Sequence, residues 1–152
     1  TDGIIWEDRS SSEIPRKSAA AVIFNEEIMI IGGFGNKSTD GSSSALSDVW
    51  SFNESSTVWR SRSTNTAINP RFAATATVFN NRIWLIGGTD SNKPATFFKE
   101  VWASNNGTDW VELSTPEQEG KAYHSAVVKD SSIIIAGGEN KNNIFNEVWS
   151  VK

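Results

Sequence analysis

Residues 70–88, PRFAATATVFNNRIWLIGG, decide the fold, because the chain carries the same pattern twice more without a gap. It stands at residues 15–33 as PRKSAAAVIFNEEIMIIGG and at residues 120–138 as GKAYHSAVVKDSSIIIAGG. The closing diglycines, Gly32-Gly33, Gly87-Gly88 and Gly137-Gly138, are spaced by 55 and 50 residues. Self-similarity at such a period marks stacked supersecondary units rather than one undivided core. Further along each unit, an acidic-aliphatic pair precedes a tryptophan: Asp48-Val49-Trp50, Glu100-Val101-Trp102 and Glu147-Val148-Trp149. A third marker is another tryptophan, at Trp6, Trp59 and Trp110, spaced by 53 and 51 residues. Three markers in one order and one period leave no room for coincidence.

Each unit reads as four short strands. Small and β-branched residues at 18–24, 73–79 and 123–129 suit a strand packed against a crowded axis. Continuous apolar runs at 28–32, 83–87 and 133–137 end at the diglycines and predict strands buried on both faces. Asn25-Glu26, Asn80-Asn81 and Lys129-Asp130-Ser131 supply the hairpin turns between them. The tryptophan strands follow at roughly 47–52, 99–104 and 146–151, then outer strands near 57–61 and 109–113. No helical periodicity of useful length appears, so the fold is predicted all-β. Seven tryptophans are many for 152 residues, and their first reading is as wedges between units rather than stacking platforms for a ligand.

These residues resemble the kelch repeat, a four-stranded antiparallel blade whose second strand closes on a double glycine. The resemblance covers nearly the whole chain and implies a β-propeller with three blades per chain: blade 1 over 15–61, blade 2 over 70–113 and blade 3 over 120–152. The chain departs from the pattern where Val49, Val101 and Val148 or the adjacent Trp replace a Tyr. It departs again where Lys121 replaces the arginine kept at Arg16 and Arg71. The third unit ends after its third strand, and Ile4-Ile5-Trp6-Glu7 matches an outer strand. A strand at 3–8 is therefore expected to complete blade 3. Propeller rings hold four to eight blades, so three cannot close alone. The expectation is a homodimer closing a six-bladed ring by strand exchange, each N-terminal strand completing the other copy's last blade. The rival is that these blades are part of a longer propeller.

A net charge of −4 and the lack of any Lys/Arg-rich run argue against a nucleic-acid partner. No run of 18 apolar residues is present to span a membrane as a helix. With no cysteine, disulfides, zinc–thiolate sites and thiol nucleophiles are excluded, and export is favoured only slightly. The loops leading into first strands (8–17, 62–72, 114–122) and leaving second strands (34–46, 89–98, 139–145) share one face and are the long ones. That face is the expected binding surface. It carries Arg16, Arg71 and Lys121, with Tyr123, His124, Phe34, Phe97 and Phe98 nearby. Cations recurring around an axis suit an acidic peptide or an acidic glycan; the competing reading pairs each with Asp48, Glu100 or Glu147 of a neighbouring blade.

His124 is the single histidine and reads best as a hydrogen-bonded strand residue; no metal and no cofactor are expected. Neither a nucleophile elbow, a phosphate loop nor a zincin motif occurs. The kelch resemblance implies a non-catalytic binding module for a protein segment or carbohydrate. One alternative it carries is a sialic-acid mutarotase-like enzyme, with Glu139 beside Arg16 or Arg71. Another is a propeller fragment without an evolved ligand. Galactose-oxidase-like copper chemistry is excluded by the absence of Cys.

Overall fold

The computed structural model describes residues 4–10, 14–36, 42–63, 67–113 and 119–152. Its described residues form twelve strands and no helix. They are β1 (Arg16–Lys17), β2 (Ala20–Phe24), β3 (Glu27–Asn36), β4 (Ser43–Asn53), β5 (Val58–Ser63), β6 (Thr75–Phe79) and β7 (Arg82–Ile86). The remainder are β8 (Val101–Ser104), β9 (Val111–Leu113), β10 (Ser125–Lys129), β11 (Ser132–Ala136) and β12 (Val148–Val151). They make three antiparallel sheets in chain order, which are the three blades. Blade 1 runs β2-β3-β4-β5, with the short β1 pairing the far end of β3 at Phe34 and Gly35. Blade 2 is β6-β7-β8-β9, and blade 3 is β10-β11-β12.

Turn chemistry fixes the hairpin registers. Asn25 and Glu26 have φ of 51° and 63°, and Asn80 and Asn81 have 49° and 57°. Two successive left-handed residues make the turn whose twist matches the flanking strands. Phe24 therefore pairs with Glu27, and Phe79 with Arg82. In blade 3, of the two turn residues only Asp130 is left-handed, with φ 54°.

The innermost strands β2, β6 and β10 lie side by side, and their small residues allow it. Two apolar seams result. Between blades 1 and 2, Met29, Ile31 and Val49 meet Ile83, Leu85 and Trp102, with Trp110 joining the cluster. Between blades 2 and 3, Phe79, Ile86 and Val101 meet Ile133 and Ile135. The expected burial of β7 on both faces is thus realised: Ile83 and Leu85 serve one seam, Ile86 the other.

Backbone hydrogen bonds repeat across both seams. Gly33 N donates to Arg71 O and Arg71 N to Leu46 O; equivalently, Gly88 N donates to Lys121 O and Lys121 N to Phe98 O. Ala73 N donates to Ser18 O, and Tyr123 N to Ala73 O. The blades are therefore stitched by main chain as well as packed.

The outer strands begin at Val58 and Val111, close to their expected places. Residues 4–8 of the strand expected at 3–8 are not a strand within the single chain, and Gly3 lies outside the described residues. Trp6 is 90% exposed. Parts of four long loops (11–13, 37–41, 64–66 and 114–118) also lie outside them.

Candidate functional site

Each loop that leads into an innermost strand turns through one left-handed residue: Ser18, Ala73 and Tyr123, with φ of 53°, 53° and 58°. Non-glycine residues pay roughly 1–2 kcal/mol for this conformation. The cross-seam bonds of Ala73 and Tyr123 offset part of that cost. Two residues before each kink stands a cation, and the structure binds all three inward.

Arg16 grips Asp48 bidentately at 2.7 and 2.9 Å, and its Nη1 also donates to Gly32 O at 2.9 Å. The Trp50 indole donates to the same carboxylate at 2.8 Å. Burial alone would raise the Asp48 carboxyl, but the bonds from Arg16 and Trp50 hold it below its usual range. Arg71 is 1% exposed, donates from Nη1 to Gly87 O at 2.9 Å, and lies 4.1 Å over the Phe98 ring. Its Nη1 stands 3.9 Å from Glu100. Burial pushes the guanidinium down to about 10, so it stays charged at neutral pH. Lys121 reaches Glu147 at 3.2 Å and sits 4.4 Å over Phe145, while the Trp149 indole donates to Glu147 at 2.8 Å.

The three cations are therefore latches. Asp48, Glu100 and Glu147 are the acids expected from the sequence, with one correction: each belongs to the cation's own blade, not to a neighbour. A charge so desolvated and paired is costly to redirect toward a ligand. Among the described residues no ion pair joins Glu139 to Arg16 or Arg71, whose salt-bridge partners are Asp48 and Glu100.

His124 is buried, and its Nε2 lies 2.9 Å from Thr75 Oγ1 across the seam between blades 2 and 3. Burial, with help from the Lys121 charge, pushes the imidazole down to about 4, so it is neutral near pH 7. It is hydrogen-bonded, as the sequence suggested, but stands one residue before β10 rather than within a strand.

What remains accessible is aromatic and polar. Phe34 meets Phe72 edge-on at 5.3 Å, and Phe72 meets Tyr123 at 6.4 Å, so one aromatic row crosses all three blades. Lys17 Nζ lies 5.4 Å over the Phe34 ring at its end. Tyr123 is exposed, Phe34 and Phe97 are half-buried, and Phe98 lies under Arg71. Beside this row, a cleft of about 540 Å³ opens at the seam of blades 1 and 2, lined by Ser44, Asn69, Asp90, Asn92, Thr96 and Phe98 among others. Asp90 organises its rim: the carboxylate accepts bonds from Thr96 N at 2.8 Å and Asn92 N at 3.1 Å. Burial acts to raise this carboxyl, and those bonds outweigh it and hold it below its usual range.

The expected residues thus divide: Tyr123 and Phe34 line the accessible face, Phe97 borders it, and Arg16, Arg71, Lys121 and His124 serve the scaffold. Sequence reasoning missed Phe72 and the cleft residues. Asp90-Ser91-Asn92, a turn-forming run inside a long loop, was the available signal.

No curated protein sequence matches the chain. Among solved structures, the chain is similar to that of YjhT, with a TM-score of 0.74 at 17% identity over 82% of this chain. It spans 45% of the YjhT chain, and at that identity the likeness concerns the fold. A family model described as the KLHDC2/KLHL20/DRC7 Kelch-repeats domain matches residues 6–152, which takes in every diglycine, latch and tryptophan marker described above. On that match the chain belongs to the Kelch-repeats domain family.

Proposed function

We propose that this chain is a non-catalytic recognition module that takes a protein segment on its long-loop face. The observation that carries the reading is the aromatic row Phe34–Phe72–Tyr123 running beside a polar cleft. Rings spaced 5.3 and 6.4 Å apart match the reach of alternate side chains on an extended segment, about 6.6 Å apart. Exposed amides at Asn69 and Asn92 suit the main-chain groups of such a segment. Membership of a Kelch-repeats domain family supports the same class of role by analogy. Carbohydrate, whose rings stack on aromatic faces and bond to amides, is the second ligand class.

The test is a peptide-library screen run beside a glycan array, using wild-type chain, Tyr123→Ala and Asn92→Ala. Each substitution is expected to weaken the selected peptide by roughly 10-fold or more while leaving the melting temperature within about 1 °C. Selection of glycans alone would replace the protein-segment reading, and hits indifferent to both substitutions would refute the site. Arg71→Met is the contrasting control: it should lower stability rather than affinity, because that guanidinium is buried in its latch.

A further inference from the structure

The three latches follow one design with different side-chain lengths. Blade 1 joins Arg16 to Asp48, and blade 3 joins Lys121 to Glu147. In both, the tryptophan two residues past the acid donates to the same carboxylate at 2.8 Å. Blade 2 alone combines the longer cation with the longer acid, Arg71 with Glu100. The two arginines are anchored alike: Arg16 Nη1 donates to Gly32 O and Arg71 Nη1 to Gly87 O, each at 2.9 Å. Arg71 is pinned further by its Nε bond to Asn69 O at 3.2 Å and by the Phe98 ring 4.1 Å away. An acid one methylene longer than Asp48 must therefore bend aside rather than meet the guanidinium head-on. Its Oε2 stops 3.9 Å from Arg71 Nη1, beyond hydrogen-bond reach.

Three atoms carry the consequence. Arg71 Nη2, Trp102 Nε1 and Glu100 Oε2 are buried without a protein hydrogen-bond partner, three of the five such side-chain atoms among the described residues. Buried polar groups in folded proteins are nearly always satisfied, so three on one latch mark a single site. They converge. Oε2 faces the guanidinium, and Trp102 follows Glu100 by the same two residues that set Trp50 on Asp48 and Trp149 on Glu147. The site thus offers two donors and one charged acceptor.

That donor set narrows the occupant. A cation is repelled by Arg71 and an anion by Glu100, while an apolar group would satisfy none of the three atoms. Arg71 and Trp102, 1% and 9% exposed, leave no opening for an extended molecule. Water accepts two hydrogen bonds and donates two, and a buried water typically makes about three. Bonds of about 2.9 Å on either side of one oxygen span up to roughly 5.8 Å, more than the 3.9 Å that parts the charged groups.

We propose that the blade 2 latch binds one water molecule, which accepts from Arg71 Nη2 and Trp102 Nε1, donates to Glu100 Oε2, and makes up the length mismatch. Its seat lies behind the candidate cleft, since Asn69 and Phe98, which hold Arg71, also line that cleft. Every residue of the seat belongs to blade 2, so it depends neither on what lies beyond the flanks nor on what the long-loop face binds.

The test is a set of crystal structures at a resolution that orders bound waters, for wild type, Glu100→Asp and Arg71→Lys. Wild type should show one density peak about 2.7–3.2 Å from all three atoms. Each variant restores a pairing that already closes in blade 1 or blade 3, so a direct bond should replace the peak. Should a variant fail to fold, nitrogen-15-labelled wild type carries the test in solution. The Trp102 indole proton should show water NOE and ROE signals of opposite sign, the mark of a long-held water. The Trp110 indole, which donates to Gly107 O at 3.3 Å, should show neither. Direct Arg71–Glu100 bonds in wild type, an ion in the seat, a peak kept in both variants, or a Trp102 indole silent to water would each overturn the proposal.

Discussion

Blades 2 and 3 carry the same apolar pattern in matching registers and live in different surroundings. Val101 and Val148 both precede the tryptophan of the third strand, yet they are 8% and 69% exposed. Ile86 and Ala136 both close the second strand before a diglycine, and only the former belongs to a seam cluster. For the two valines the difference is not in the residue. A flat sheet has two faces, and each repeat can bury one of them only against the next repeat. Blade 2 has a neighbour on either side, so its sheet is core; blade 3 has one, and half of its apolar pattern awaits a neighbour.

The largest expected effect tests whether that contrast is energetic as well as geometric. Leu85→Ala, at a fully buried position in blade 2, should cost about 2–5 kcal/mol in urea unfolding, and Val148→Ala under about 0.5 kcal/mol at a concentration where the chain is monomeric.

Next comes the pH response, which separates the two internal seams. His124 with Thr75 bridges blades 2 and 3, whereas Ala74 and Ala20 occupy the matching places between blades 1 and 2. A neutral imidazole at about 4 in the fold, against about 6.5 unfolded, means that the unfolded chain binds more protons in between. Stability is therefore fully present above pH 6.5 and falls as pH drops toward 4, by up to about 3 kcal/mol. His124→Gln, which keeps a hydrogen bond to Thr75, should flatten denaturation midpoints across that window. An unchanged slope would place the acid sensitivity elsewhere.

The smallest effect concerns the latches. Asp48 accepts Arg16 twice and Trp50 once, whereas Glu100 stands 3.9 Å from Arg71 and Trp102 Nε1 finds no acceptor. Glu100→Asp should raise the stability of blade 2 by about 0.5–1 kcal/mol in thermal unfolding if side-chain length causes the gap. No gain would assign it to the tight packing around Trp102.

Much of the architecture was legible because it depends on local, repeating chemistry. Turn residues Asn25-Glu26 and Asn80-Asn81 set the hairpins, diglycines ended the second strands, and the tryptophan spacing counted the blades. The site was less legible. Arg16, Arg71 and Lys121 look identical in sequence whether they face a ligand or a carboxylate, because the choice depends on where Asp48, Glu100 and Glu147 lie across the sheet. Phe72 carries no mark of its accessibility, which follows from the kink and loop that place it.

The sequence by itself determined an all-β stack of three kelch blades, since period, turn type and apolar runs act within one repeat. Only the tertiary structure decided that the cations point inward, that an aromatic row is left outside, and which flanks are bare. The latches join opposite ends of one repeat, and the row and flanks depend on which repeats meet, so neither follows from local pattern.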